Sequence, residues 1–246
     1  MRSHVLRGAS IAAAPLALMA SLTLAACSAD PPPAAHPQTL MPTNNEFTSA
    51  IMHTNAMGSA QVDLTFTTDR AGDMTTRSAS GPVVLGGPFG ELTWTDTGVR
   101  ERANGQGVYL QEPAPDGPWR ALPKGETTET MPLTQVLWGL GGASIDCTAD
   151  PSQKGALLCE GTMPVDGDLL NRLGLPSDEK SALTPADAAG PARVSISIDQ
   201  RGRIIQVRRI VEFSAADGPL TVDTLARLSD FSRRIDIAVP PTTATP

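Results

Sequence analysis

Apolar and polar residues alternate with a period of two over several separate stretches of this chain. Val62, Leu64 and Phe66 alternate with Gln61, Asp63, Thr65 and Thr67, which predicts a strand with one buried face. A polar stretch at Met74–Ser80 leads into Val83-Val84-Leu85, and Glu91–Asp96 sets Leu92 and Trp94 on one side. Asn104-Gly105 is the strongest hairpin signal, joining Gly98–Ala103 to Val108–Gln111. Pro115-Asp116-Gly117-Pro118 predicts another turn, followed by Trp119 and Leu122. Near the C-terminus Val194, Ile196 and Ile198 alternate with Arg193, Ser195 and Ser197, and Asp199–Gly202 turns the chain. Ile204–Phe213 is apolar on both faces and is expected to be covered on both sides. Leu220, Val222, Thr224 and Ala226 continue the alternation, and Ile235, Ile237 and Val239 predict a last strand before Pro240-Pro241.

Three segments carry a helical period instead. After Asn44-Asn45-Glu46, Phe47, Ala50 and Ile51 fall on one face of a capped helix that Gly58 ends. His53 lies near its opposite, exposed side. Pro132 suits the first turn of a helix carrying Leu133, Val136, Leu137 and Leu140, stopped by Gly141-Gly142. Asp166 caps a short helix with Leu169, Leu170 and Leu173, ended by Gly174 and Pro176, and Ser177–Pro191 is expected to be a loop. Runs of hairpins with helices gathered mid-chain predict an α+β domain, an antiparallel sheet with helices on one face.

The N-terminal pattern is of another kind. Arg2 and Arg7 precede an almost wholly apolar run from Ala9 to Ala26, and no acidic residue occurs before Asp30. That is the layout of a secretory signal, too short and too rich in Ala for a convincing membrane span. It ends in Leu24-Ala25-Ala26-Cys27, which resembles the bacterial lipobox. The resemblance implies that residues 1–26 are removed and that Cys27 is acylated, anchoring the chain to the outer face of a cytoplasmic membrane. Residues 27–43 are rich in Pro and Ala and predict an extended tether containing a solvated His36. The domain then spans 44–241, and 242–246 is a loose tail.

Net charge is −7, and becomes −9 once Arg2 and Arg7 are lost. So acidic a domain excludes nucleic acid as a natural partner. With Cys27 acylated, Cys147 and Cys159 remain, flanking eleven residues that include Asp150-Pro151. In an oxidising compartment a hairpin closed by a disulfide is favoured over free thiols. His4, His36 and His53 are scattered, so no metal site and no cofactor is expected.

Enzyme chemistry finds little support. Ser177-Asp178-Glu179-Lys180 has the S-x-x-K spacing, without its companion motifs. The sequence around Ser144 lacks the second Gly of a nucleophile elbow, and a triad would have only His36 or His53 as base. The glycines of GPVVLGGPFG lack the ending of a phosphate loop and mark turns or a bulge.

The order of lipobox, capped helix, alternating strand, the GVYLQ…GPWRALP hairpin with Tyr109 and Trp119, helical middle, ARVSISIDQRGRIIQVR and LARLSDFSRRIDIAVPP resembles the actinobacterial LppX/LprA/LprF/LprG lipoprotein family. More distantly it resembles the LolA-like lipoprotein carriers. The likeness runs over roughly 45–241, and includes no catalytic signature. It implies a curled antiparallel half-barrel with a few short helices on its concave face, enclosing an apolar cavity for an acylated lipid or glycolipid. The low aromatic content, 4%, and the cysteine pair depart from that family. Cavity candidates are Val62, Leu64, Phe66, Leu92, Trp94, Val108, Leu110, Ile196, Ile198 and Val207. A monomer is expected. The alternative is an envelope lipoprotein of the same fold with a filled core, binding protein partners and no lipid.

Overall fold

The computed structural model describes residues 44–232, apart from 88, 105, 115–116, 124–135 and 138, together with 235 and 237–240. The chain divides into two compact units, Met1–Thr39 and Leu40–Pro246, and all described residues belong to the second. The predicted signal, Cys27, the tether, the front of the Pro132 helix with Leu133, Gly105, Pro115-Asp116 and the tail lie outside the described residues. Among the described residues no helix is long and apolar enough to cross a membrane.

The alternating stretches form β1 (Ser59–Arg70), β2 (Asp73–Val84), β3 (Gly90–Trp94), β4 (Arg100–Asn104), β5 (Gly107–Gln111), β6 (Trp119–Ala121), β7 (Ser144–Ala149), β8 (Leu157–Met163), β9 (Ala192–Ile198), β10 (Ile204–Ala215) and β11 (Gly218–Ser229). They make one sheet in the order β6-β5-β4-β3-β2-β1-β11-β10-β9-β8-β7. Two meanders, β1 to β6 and β7 to β11, are joined where β1 pairs antiparallel with β11 from Gln61↔Ser229 to Arg70↔Leu220.

Cross-strand register puts the predicted apolar positions in line. One row runs Trp94, Ala79, Leu64, Ala226, Val207, Ile196, Cys159, Cys147 across eight strands. All eight side chains are buried, on the inner face of the sheet.

The inner face is concave, and two glycines mark where it bends. A Cβ on Gly81 would lie 1.8 Å from the Glu91 carbonyl oxygen, and one on Gly161 would lie 2.0 Å from that of Ser144. Gly81 pairs with buried Val62, and Gly161 pairs with buried Val194, so both missing side chains would point inward. Only a residue without a side chain lets the neighbouring strand close in there. One glycine sits in each meander. Each half therefore curls inward, and the accumulated twist of so many strands acts in the same sense. The result is an open half-barrel.

Short helices cover the concave face. α1 (Asn44–Ala56) contributes Phe47 and Ala50 to the core. α2 (Gly167–Asn171) starts as the sequence predicts, the Asp166 carboxylate accepting from the Leu169 N–H at 2.7 Å. Leu169, Leu170, Leu173 and Leu175 then enter the same cluster as Val136, Leu137 and Leu140. Thr54, wholly buried, locks α1 to the sheet. The register of β9 and β10 shifts between Ile204 and Gln206, and the Ile204 N–H donates to the Thr54 hydroxyl oxygen at 2.8 Å while that hydroxyl donates to the Ala50 carbonyl at 2.7 Å.

Four expectations are corrected. β10 is covered on one face only, since Val207, Arg209, Val211 and Phe213 are buried while Arg208 and Glu212 on the other face are exposed. Gly141-Gly142 do not stop an α-helix: among the described residues they lie within a 3-10 turn, Leu140–Gly142. Ser177–Pro191 is not merely a loop: it contains α3 (Ser177–Ser181) and a 3-10 turn at Pro185–Asp187. The Asp187 carboxylate accepts from the Thr184 N–H at 2.6 Å, a Thr-Pro-x-Asp start that composition alone obscures. Nor do Ile235, Ile237 and Val239 make a strand among the described residues. β11 already has β1 and β10 on its two sides, so the chain leaving it has no neighbour to pair with. Asp230 and Ser232, at φ 46° and 63°, turn it away. The segment crosses to β4, where the Arg102 guanidinium donates to the Ala238 carbonyl at 3.1 Å.

Gly161→Ala is expected to destabilise by about 1–3 kcal/mol because a neighbouring backbone must move. Gly190→Ala, with open space around it, should leave the urea midpoint unchanged. Equal midpoints for the two variants would remove the glycine-bend explanation. Thr54→Val leaves the buried Ile204 N–H without an acceptor, and should cost about 1–3 kcal/mol by chemical denaturation; Thr54→Ser should recover most of that loss.

Candidate ligand-binding site

The ten predicted cavity residues divide into two groups. Val62, Leu64, Phe66, Leu92, Trp94, Ile196, Ile198 and Val207 are all buried within one apolar cluster. They share that cluster with Leu169, Leu170, Leu173 and Leu175 of the helical cover. Val108 and Leu110 fall on the same side of the sheet, in line with Ala103 and Glu101, yet remain half-buried and outside that cluster. Tyr109 and Trp119 point the other way and are buried on the outer face. There the Arg100 and Arg102 guanidinium groups lie 5.3 Å and 4.6 Å from the Trp119 ring centre, and both pair with Glu91.

The inner face also carries polar groups that alternation did not flag. Arg209 lies in a row with Phe66, Thr224 and Val194. Its guanidinium donates to the Val136 carbonyl at 2.6 Å. Burial, and secondarily the nearby Arg172, push it down to about 10, so it stays protonated at neutral pH. The signal was present in the sequence: Arg208 and Arg209 are adjacent on a strand, so one of them must face inward. Arg208 faces outward and pairs with Asp223 at 2.6 Å. The Trp94 indole N–H donates to the buried Glu101 carboxylate at 2.8 Å. Cys147 and Cys159 lie directly opposite on β7 and β8, with sulfurs bonded at 2.07 Å.

A groove of about 440 Å³ opens at the rim, between α1 and the ends of β8 and β9 with the turn that follows. Glu46, Ser49, Ala50 and His53 line it from α1, on one face of the helix. Leu157 and Ile198 come from the strands, and Asp199, Gln200 and Gly202 from the turn. Ile198 is the predicted cavity residue that lines this groove. The Asp199 carboxylate is fully engaged. It accepts from the Arg201 and Arg203 N–H groups at 2.9 Å each, and from Arg203 Nε at 2.8 Å and Nη2 at 2.5 Å. Burial alone would raise its pKa, but these bonds together hold it below the ordinary carboxylate value. Glu46 differs: its Oε2 is buried with no hydrogen-bond partner. The period-3.6 reading of α1 recovered Phe47 and Ala50 because they pack. It passed over Glu46 and Ser49 because only the fold brings the distant Asp199–Gly202 turn against them.

His53 and Ser144 are exposed, and Lys180 sits in α3. Among the described residues no cluster of three or more His, Cys, Asp or Glu could hold a metal ion.

No protein-family profile matches the chain, and no curated protein matches its sequence. Solved structures similar to it include a DUF1329 family protein from Desulfovibrio piger, at 9% identity and TM-score 0.33, with 80% of this chain and 95% of that one covered. A LolA superfamily protein from Nitrosomonas europaea aligns at 11% identity and TM-score 0.34, covering 77% and 94%. A domain described as an outer membrane lipoprotein-sorting protein, from Vibrio parahaemolyticus, aligns at 11% and 0.31, covering 78% and 93%.

Proposed function

We propose that this chain is an exported lipoprotein, held at the outer face of a cytoplasmic membrane by acylated Cys27, that carries or presents an acylated lipid or glycolipid in the cell envelope. The observation that carries the reading is a continuous apolar inner face under a fragmented cover. The row from Trp94 to Cys147 spans eight strands. α2 and α3 above it have five residues each. Helices so short do not hold themselves in water and depend on side-chain burial. An acyl chain entering beneath them exchanges one set of apolar contacts for another, and gains about 0.8 kcal/mol for each CH₂ it removes from water. No acid, base or nucleophile is required. The lipobox ending at Cys27 and the resemblance to the actinobacterial LppX group point the same way.

The burial of eight candidates in one cluster with the leucines of the cover favours a second reading. A core filled by its own leucines suits an envelope lipoprotein that binds protein partners and no lipid. Mass spectrometry separates the two. The full chain carrying Cys27→Ala, exported from an actinobacterial host and purified without detergent, is expected to retain a stoichiometric diacyl or triacyl species under native conditions. A clean protein mass, unshifted by added lipids, would exclude the carrier reading and leave the partner reading. Detergent-phase partitioning tests the anchor independently: the wild-type chain should enter the detergent phase, and Cys27→Ala should move to the aqueous phase.

A further inference from the structure

We propose that the rim groove between α1 and the turn after β9 binds a primary ammonium group carried on an aliphatic stem. This site lies at the edge of the half-barrel, and the proposal does not depend on the lipid reading.

Three observations carry it. The first is charge. Among the described residues the lining holds two carboxylates, Glu46 and Asp199, one imidazole, His53, and neither Lys nor Arg. Arg203 neutralises Asp199, its Nε and Nη2 both donating to Oδ2, which leaves Glu46 as the carboxylate of the groove without an ion pair. A phosphate or carboxylate ligand would meet repulsion there, and a cation would not.

The second is hydrogen bonding. Glu46 Oε2 is buried and has no donor, a state that costs about 1–3 kcal/mol for a buried polar atom. Glu46 stands in the first turn of α1, where the helix dipole stabilises its negative charge. The dipole does not give Oε2 a hydrogen bond. An ammonium has three donors and no acceptor, and three lining residues, Glu46, Ser49 and Gln200, carry side-chain oxygens that accept.

The third is shape. The groove, at about 440 Å³, is within the range of small-molecule sites. Ala50, Leu157 and Ile198 supply aliphatic surface for a stem. Among the described residues no Trp, Tyr or Phe lines the groove, so it lacks the cation–π surface that a quaternary ammonium relies on. Around Gly202 there is open space that a side chain would take up.

Calorimetric titration of the full chain carrying Cys27→Ala, with 1-aminopentane at neutral pH, tests the proposal. Saturable one-to-one binding is expected, with 1-pentanol and pentyltrimethylammonium at least tenfold weaker. Glu46→Gln, which keeps the shape of the first helical turn, should weaken 1-aminopentane at least tenfold. Ser49→Trp, at an exposed helix position, should abolish binding by filling the groove, and the melting temperature reports whether either variant still folds. Absence of saturable binding to the folded parent would overturn the proposal. So would equal affinity for 1-pentanol, or affinity unchanged by Glu46→Gln.

Discussion

The pairing of β1 with β11 is the constraint on which the rest of the half-barrel depends. It joins the first strand to the last, from Gln61↔Ser229 to Arg70↔Leu220. Every other strand pairing lies within a meander. The inner-face rows are therefore continuous only when this long-range seam forms, late in synthesis and at a high loop-closure cost. The same arrangement sends both free edges, β6 and β7, to the far ends of the sheet. Each edge is restrained differently. β6 has three residues, too few to template another strand. β7 is tied to β8 by the Cys147–Cys159 bond, which in the chain-entropy model stabilises a loop of this size by about 3 kcal/mol. The departing C-terminal segment adds a tie from the middle of the sheet to β4 through Ala238.

Apolar burial alone would not position the helical cover, since leucines on leucines slide with little penalty. Directional bonds supply the register. Thr54 fixes α1 to the start of β10, and Arg209 reaches from β10 to the Val136 carbonyl. Arg70 pairs with Asp217 at the β10–β11 tip and approaches Glu179 of α3 at 3.7 Å. The first two bonds are buried, where losing a partner costs more than the bond contributes. The third is half-exposed, where ion pairs contribute little. On this argument α1 and the Val136 segment are the fixed parts of the cover, and α3 is the part held most weakly.

How much of this was legible in the sequence depends on what each signal measures. Alternation reports which side chains share a face, and it recovered β1, β9 and β11 and the inward set from Val62 to Val207. It does not report whether that face is filled, because filling is decided by Leu169, Leu173 and their neighbours arriving from elsewhere in the chain. Turn and cap chemistry is local, and so Gly58 at φ 78° and Asp166 at the start of α2 were readable. The last strand failed for a non-local reason: Ile235, Ile237 and Val239 alternate properly, but the neighbouring positions in the sheet were already taken. Gly81 was readable as a turn or bulge at most and Gly161 carried no signal, since only the fold brings Glu91 and Ser144 against them. The rim groove was illegible on the same ground, its two walls being about 150 residues apart in the chain.

α1 serves both candidate sites, and this bears on how they relate. Phe47 and Ala50 enter the apolar cluster, while Glu46, Ser49 and His53 face the rim groove, to which Ala50 also contributes. Thr54, one turn beyond Ala50, is the bond that pins the helix. An occupant of the groove and an occupant of the half-barrel would therefore act on one rigid element. A ligand shifts a conformational equilibrium only by the difference in its affinity for the two states. If α1 keeps its place when the weaker α3 end of the cover opens, the groove has the same shape in both states and its ligand is without effect on the other site. If α1 tilts, the Thr54–Ile204 bond must break, and a groove ligand that needs Glu46 opposite the Asp199–Gly202 turn would favour the closed form. The buried Thr54 bond makes the first case the cheaper one, so the geometry favours two sites that share a helix and act independently.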